Sequence, residues 1–266
     1  MVADFHNDFI TNENFSSILD EYKKSDNNIV GAIYKGKRSF EDCYGQAKVF
    51  AENKSSNLYL AYEDFTFVKD FKTLGLLLDF KPFYVTQTWN GDSINGGGAG
   101  SEKGLSPHGK DLVKMLNEHK IFVDLAHLSK KSFYETLDIA DNVVCSHTAF
   151  SAVNEHKRNL DFYQLKALAD RGAKIGLCFY PYFLNGSSKA TVDDVYRHID
   201  YFVNLFGDDG LCIGTDFFGC DVYPENMSDY SFESILTDKL LSVGYSKVTI
   251  EKILYKNLKS ILVDSG

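Results

Sequence analysis

Short apolar runs alternate with segments of helical spacing along most of this chain. The clearest case is residues 121–148, where apolar runs at 121–123 and 143–145 are each followed closely by a histidine, His127 and His147. The residues between the two runs place apolar side chains at helical spacing. Such alternation is typical of βαβ units and a parallel sheet. Because the carboxyl ends of parallel strands form the working edge of these sheets, we expect the two histidines to face one cleft.

The same alternation continues over the whole chain. It predicts eight strands, at residues 2–5, 28–34, 58–62, 82–86, 121–123, 143–145, 174–179 and 211–214. It also predicts about eight helices, among them 40–53, 65–78, 106–117, 161–171, 191–206 and a closing helical segment at 231–262. This pattern indicates an α/β fold of the (β/α)8 TIM-barrel type, forming one domain over residues 1–266. The glycine-rich segment 91–104 lacks a phosphate-binding motif and is predicted to be a mobile loop over the cleft.

The composition argues against some classes of binding partner and indicates the cellular compartment. The 266 residues are 44% hydrophobic, but no apolar run approaches the length of about 20 residues that a membrane span needs. No signal peptide is visible at the amino terminus, and the five cysteines show no C-x-x-C spacing, which favours free thiols in a reducing compartment. A formal charge of -9 argues against nucleic acid or an anionic membrane as partner. We therefore expect a cytoplasmic protein, with formation of a homo-oligomer left open.

Side chains that bind metals or protons follow several of the predicted strands. They are His6 and Asp8 after the first strand, Glu63 after the third, His127 and His147 after the fifth and sixth, and Asp216 after the eighth. A lone histidine or an H-x-D sequence is usually unremarkable, and Asp64 is predicted to cap a helix, which leaves Glu63 for function. Packing roles do not explain why all six of these residues follow the carboxyl ends of predicted strands. Histidine nitrogen and carboxylate oxygen together suit zinc or a similar divalent ion.

Two further polar residues have competing interpretations. Arg158 lies in the loop after His147, and its planar guanidinium suits a substrate carboxylate. A loop salt bridge with Glu155 or Asp161 explains the same residue equally well. His198, inside the predicted helix 191–206, is interpreted as a surface or packing histidine.

An ordered set of motifs resembles the renal (membrane) dipeptidase family of zinc peptidases, within the amidohydrolase-like barrels. The motifs are F-H-N-D at 5–8, Y-E at 62–63, T-Q-T-W-N at 86–90, G-L-S-P-H-G at 104–109, V-D-L-A-H-L-S at 123–129, S-H-T at 146–148, R-N at 158–159, F-Y-P at 179–181 and G-T-D-F at 214–217. The V-D-L-A-H-L-S segment followed by S-H is the most specific part. The set covers nearly the whole chain in the family's order, and it implies the same barrel fold.

The resemblance implies a role for each matching residue. His6, Asp8 and Glu63 would hold one Zn²⁺, and Glu63, His127 and His147 a second, so that Glu63 bridges two ions per chain. Arg158 would bind the substrate carboxylate, and Asp216 would handle the proton beside the metals. The chain departs from the family at Trp89, where a substrate-binding histidine is common, and at residues 63–66, where E-D-F-T replaces E-G-G-H.

The leading hypothesis is a binuclear zinc dipeptidase that hydrolyses short peptides with a free C-terminal carboxylate. Two metals would lower the pKa of a bridging water to give hydroxide and would polarise the scissile carbonyl. Glu63 and Asp216 are the predicted catalytic residues, with Arg158, Trp89 and Asp216 contacting the peptide. One alternative is another amide, ester or phosphoester hydrolase on the same metal barrel. A second is a catalytically inactive metal-binding scaffold, against which the spare acid Asp216 argues.

Overall fold

A computed structural model describes residues 1–53 and 55–262. Its strands are β1 (Ala3–Asn7), β2 (Asn28–Tyr34), β3 (Leu58–Glu63), β4 (Tyr84–Thr86), β5 (Asp92–Ser93), β6 (Gly96–Gly97), β7 (Phe122–Asp124), β8 (Val143–Thr148), β9 (Ile175–Leu177) and β10 (Leu211–Ile213). Nearly every residue of these strands, β5 apart, is buried, as expected where helices cover a parallel sheet.

The helices follow the strands in chain order. They are α1 (Phe15–Tyr22), α2 (Phe40–Asn53), α3 (Phe71–Leu78), α4 (Pro107–Glu118), α5 (Lys130–Ile139), α6 (Phe162–Asp170), α7 (Pro181–Leu184), α8 (Val192–Phe206), α9 (Phe232–Ser242), α10 (Lys247–Glu251) and α11 (Asn257–Leu262), with a 3-10 turn at Phe9–Thr11 and a π-helical turn at Lys252–Lys256. Several begin at the polar residue that the sequence suggests. Ser106, for example, caps α4 by accepting a hydrogen bond from Gly109 N, with Pro107 at the first helical position.

Eight strands close into one parallel barrel in the order β1-β10-β9-β8-β7-β4-β3-β2. The remaining two, β5 and β6, pair with each other as a small antiparallel sheet. Neighbouring barrel strands are in parallel register, as in the pairing of Asp124 in β7 with Val144 in β8. The predicted (β/α)8 TIM-barrel fold is therefore confirmed.

The chain divides into two compact units. The first unit contains residues 1–7, 24–29 and those from Cys145 onward, so it includes β1, β9, β10 and most of β8. The second unit contains Asp8–Lys23 and Val30–Val144, and so includes β3, β4, β7 and most of β2.

In the first unit, two glycines allow the strands to approach closely. A Cβ atom added at Gly176 or at Gly214 would lie far inside van der Waals contact of the Ser146 carbonyl oxygen. Neither position tolerates even alanine without movement of the backbone, which explains why glycine occurs at these points in β9 and directly after β10.

Several boundaries differ from those expected. The helix predicted at 65–78 begins only at Phe71, where Asp70 caps α3 by accepting from Thr73 N. The predicted segment 231–262 is broken after α9 by Gly244, whose φ is 96°. Within segment 91–104, the β5–β6 hairpin is ordered and residues 95–99 are buried, so this part is not the open loop that its glycines suggest. Among the described residues, no helix combines the length and apolarity required to cross a membrane.

Candidate active site

In the first unit, two predicted metal ligands lie side by side. The imidazole rings of His6 and His147 have centroids 3.8 Å apart, and both side chains are buried. Both residues lie within strands, because β1 continues to Asn7 and β8 to Thr148, beyond the apolar runs that predicted these strands. Each imidazole is therefore held on a β-strand.

Asp216 lies beside His6 in the first unit. It lies in the turn after β10 with a φ of 61°, a left-handed conformation that Asp tolerates better than most residues. Its Oδ1 is 3.7 Å from Nε2 of His6, while its Oδ2 faces the thiols of Cys178 at 3.7 Å and Cys220 at 2.9 Å. The carboxylate thus has a histidine on one side and two sulfur atoms on the other.

A buried acid in β1 positions the turn that carries Asp216. Asp4 accepts hydrogen bonds from Thr215 N at 2.9 Å, from Thr215 Oγ1 at 2.7 Å and from the Tyr230 hydroxyl at 2.7 Å. Burial raises the pKa of Asp4, and these hydrogen bonds oppose that rise. Asp4 was not predicted from the sequence, although a carboxylate inside an apolar strand is a usable signal.

In the second unit, Glu63 and His127 form a close pair. Nε2 of His127 is 2.9 Å from Oε1 of Glu63, and both side chains are buried. His127 has a φ of 64°, and its carbonyl oxygen accepts from Ala99 N at 2.7 Å and from Thr88 Oγ1 at 3.2 Å. These backbone contacts hold the histidine in place beyond the end of β7.

Asp8 and Asp64 also belong to the second unit. Asp8 is buried and precedes the 3-10 turn, two residues after His6 in the chain. The prediction that Asp64 caps a helix is wrong, because the next helix begins only after Asp70. Asp64 instead has a φ of 58° and accepts from Thr66 Oγ1 at 3.0 Å, and burial raises its pKa to about 6.

Trp89 lies beside His127 in the second unit. Its ring is 6.0 Å from that of His127 and 5.6 Å from that of Tyr34, and 43% of the residue is exposed. It helps to line a cavity of about 350 Å³, together with Lys35, Asp64 and other residues of the second unit. An indole at this position offers an aromatic wall and one N–H donor, but no general base.

Arg158 is buried in the first unit behind one of the histidines. Its Nη2 donates to the carbonyl oxygen of His147 at 3.2 Å, and the guanidinium lies 5.4 Å from the ring centroid of Phe183. Its Nε is buried without a hydrogen-bond partner among the described residues. A buried cation with an unused donor is suited to an anionic group.

His198, in the first unit, is not one of the predicted metal ligands, and both of its ring nitrogens contact the backbone. It is fully buried on α8, where Nδ1 accepts from Phe150 N at 3.2 Å and Nε2 lies 3.0 Å from the carbonyl oxygen of Leu184. Its interpretation as a packing histidine agrees with this placement.

The donor set fits a divalent metal of the zinc type. The first unit brings together two histidines and one aspartate, and the second unit brings together a glutamate and a histidine; these side chains are almost completely buried. Buried carboxylates and imidazoles in such proximity are stabilised by a cation, and nitrogen and oxygen donors are those that zinc binds in catalytic sites.

The fold and these residues define a TIM-barrel hydrolase of the metal-dependent type. A model of the membrane dipeptidase family (peptidase family M19) matches residues 55–264, most of the chain. The chain belongs to this family. The match supports a hydrolase that acts on peptide bonds, and family membership implies a metal.

Individual relatives agree with this assignment. An uncharacterised protein from the pqqA 5′ region of Klebsiella pneumoniae is 31% identical over 189 residues, covering 68% of this chain and 69% of that protein. Dipeptidase tcpJ of Claviceps purpurea (strain 20.1) is 33% identical over 161 residues, covering 60% of this chain but only 38% of that dipeptidase. The match thus spans well under two thirds of the named dipeptidase.

Solved structures share the fold over the full length. The structure of dipeptidase AC, a metallopeptidase of family M19, has a TM-score of 0.86 at 22% identity and covers 99% of this chain and 98% of that one. A metallopeptidase from Rhodobacter sphaeroides, bound to a phosphinate mimic of the dipeptide L-Ala-D-Ala, has a TM-score of 0.85 at 21% identity and covers 100% and 99%.

Proposed function

We propose that the protein is a binuclear zinc dipeptidase. The observation that carries the proposal is the placement of its buried histidines and carboxylates: His6 with His147 and Asp216 in the first unit, and Glu63 with His127 in the second. These residues lie in parallel strands of one closed barrel or within three residues of their ends, and active sites of this fold lie at the carboxyl ends of those strands.

We assign the ligands by combining these placements with the family pattern. His6, Asp8 and Glu63 would hold one ion, and Glu63, His127 and His147 would hold the other, with Glu63 shared. Zinc held by these residues would supply Lewis acidity, which lowers the pKa of a bound water and polarises the scissile carbonyl. Glu63 supplies a carboxylate with two oxygens, which suits a bridge.

Asp216 is assigned the proton transfer. Its Oδ1 lies next to a proposed ligand, His6, and it is held in a tight turn by the Asp4–Thr215 hydrogen bonds. A positioned carboxylate of this kind can accept a proton from the attacking water and return it to the leaving amine. Asp216 therefore acts as general base and then as general acid.

Arg158 is assigned the C-terminal carboxylate of the peptide. Its guanidinium is held by the carbonyl oxygen of His147 and the ring of Phe183, and its buried Nε–H has no hydrogen-bond partner among the described residues. Trp89 is assigned a wall of the same substrate site, since it lies beside His127. A carboxylate clamp close to the metals restricts substrates to very short peptides with a free C-terminus.

The test compares dipeptides with their C-terminal amides on metal-loaded protein. L-Ala-D-Ala is the first substrate to assay, because the Rhodobacter sphaeroides relative binds a mimic of it. We expect the free acid to be hydrolysed with a kcat/KM at least about tenfold above that of the amide, and Arg158→Ala to raise KM by about ten- to a hundredfold. Asp216→Asn should lower kcat by about 10²–10⁴-fold with the metals retained.

Two outcomes would contradict the proposal. Equal hydrolysis of the acid and the amide would show that Arg158 does not bind the substrate carboxylate, and it would indicate a broader amide or ester hydrolase. Failure to hydrolyse any peptide, ester or phosphoester with metals bound would support the inactive scaffold. Lys157→Ala, which removes a neighbouring positive charge, serves as the control for Arg158→Ala.

A further inference from the structure

Two cysteines flank the side of Asp216 that faces away from His6. Cys178 directly follows β9, and Cys220 lies four residues after Asp216. The two Sγ atoms and a carboxylate oxygen of Asp216 all lie within 4.8 Å of one another. Oδ2 faces both sulfur atoms, while Oδ1 faces the imidazole of His6.

The loop that carries Cys220 is held firmly in place. The amides of Gly219 and Cys220 donate to the carbonyl oxygen of Asp216 at 3.1 and 3.2 Å. The hydroxyl of Tyr223 accepts from Phe218 N and donates to the carbonyl oxygen of Cys220, each at 2.9 Å. The folded backbone therefore brings the three donor atoms together.

The other sulfur atom is also placed by the backbone. Cys178 is completely buried, and the amide of Tyr180 donates to its Sγ at 3.4 Å. An amide that points at sulfur stabilises negative charge there, which is the arrangement expected around a metal thiolate.

We propose that Cys178, Cys220 and Asp216 form a separate binding site for a thiophilic divalent cation such as Zn²⁺. When the ion binds, two S–H bonds break, two metal–sulfur bonds form, and two protons are released to solvent, with Oδ2 of Asp216 as the third ligand. No change in oxidation state is involved.

The distances suit such an ion. Zinc–sulfur and zinc–oxygen bonds of about 2.3 and 2.1 Å in a tetrahedron separate sulfur from oxygen by about 3.6 Å. Sγ of Cys178 is already 3.7 Å from Oδ2 of Asp216. Sγ of Cys220, at 2.9 Å, needs to move by less than about 1 Å, and this residue is half-buried rather than locked in the core.

Occupancy of this site would inhibit the enzyme, a consequence that rests on the proposed catalytic role of Asp216. A carboxylate whose Oδ2 is bound to a cation has less basicity to offer a proton through Oδ1. Zinc in excess of the catalytic ions should therefore reduce turnover reversibly, while the thiol site itself does not depend on catalysis.

The test is a Cd²⁺ titration of fully zinc-loaded protein, monitored by the near-ultraviolet thiolate-to-cadmium charge-transfer band and by metal content. We expect one extra ion per chain and a thiolate band. Cys220→Ser keeps a hydroxyl donor for Asp216 but removes the soft ligand, so it should abolish the band. Cys212→Ala removes a buried thiol of β10 outside the cluster and should leave the band intact.

Absence of the band in the wild type, or its persistence in Cys220→Ser, would overturn the proposal. A Cys178–Cys220 disulfide, seen as a mass lower by two hydrogens and reversed by a phosphine reductant, would also overturn it. In dipeptide assays, the excess Zn²⁺ that halves activity should rise at least about tenfold in Cys220→Ser, each protein being compared with its own uninhibited rate. A thiolate band without any peptidase activity would refute the proposed dipeptidase and leave the thiol site standing.

Discussion

Burial of His198 predicts a defined loss of stability in acid. The ring uses both nitrogens in its neutral form, with Nδ1 accepting from Phe150 N and Nε2 placed to donate to the carbonyl oxygen of Leu184. A proton added at Nδ1 would face the Phe150 amide, a second donor. Burial disfavours the charged ring and lowers the pKa of His198 from its ordinary value of 6.5 to about 4.

The stability lost in acid follows from the difference between the pKa of His198 in the unfolded chain and in the folded protein. Below about pH 6.5 the unfolded chain binds a proton at His198 that the folded protein does not bind until about pH 4, so stability falls as the pH falls through this window. The loss amounts to about 2 kcal/mol at pH 5 and about 3 kcal/mol well below pH 4. Above about pH 6.5 the contribution is fully present.

Urea unfolding at pH values of about 7.5 and 5 measures the effect. The control is His198→Gln, whose amide can donate to Leu184 and accept from Phe150 but does not titrate. We expect the wild type to lose about 2 kcal/mol more than this variant between the two pH values. Equal losses in the two proteins would refute the argument, since they would show that His198 takes up no proton on unfolding in this range.

Three further predictions follow from the fold and the site. Gly214→Ala should prevent stable folding because its Cβ meets the Ser146 carbonyl, whereas Gly45→Ala, in open space on α2, should stabilise the protein by about 0.5–1 kcal/mol in the same urea assay. Glu63→Gln should lose at least one metal by elemental analysis and most activity, with an unchanged circular dichroism spectrum; full activity would show that another residue bridges the metals. Asp4→Asn should lower stability by about 1–3 kcal/mol and reduce kcat without loss of metal, and an unchanged kcat would show that Asp4 does not position the catalytic turn.

The sequence predicted most of the architecture because strand and helix periodicities are local. Residues 28–34 and 40–53 were placed correctly, since apolar runs and amphipathic spacing need no tertiary information. The sequence-based prediction was wrong in irregular segments and at the ends of strands. The segment between Glu63 and Asp70 is irregular although its residues permit a helix, and strand ends such as that of β8 extend into polar residues.

The candidate site was predicted in outline only. Side chains that bind metals are recognisable by type, and the end of a predicted strand suggested where each would point. The supporting contacts could not be predicted in this way, because Asp4 meets Thr215 only through the closed barrel, and Cys220 meets Asp216 only through a tight turn. The cytoplasmic location, the single-domain organisation and the oligomeric state stay predictions from the sequence.

The division of the chain into units has a consequence for synthesis on the ribosome. The second unit is complete once residue 144 has been made, whereas β1 belongs to a unit whose other strands come later. Asp4 meets its partner Thr215 only 211 residues further along the chain. β1 can pair with β2 early, but its other edge, which pairs with β10, is among the last to be covered, and closing such a long loop is slow. Until the ribosome releases the residues of β10, that edge of β1 stays unpaired and open to a chaperone.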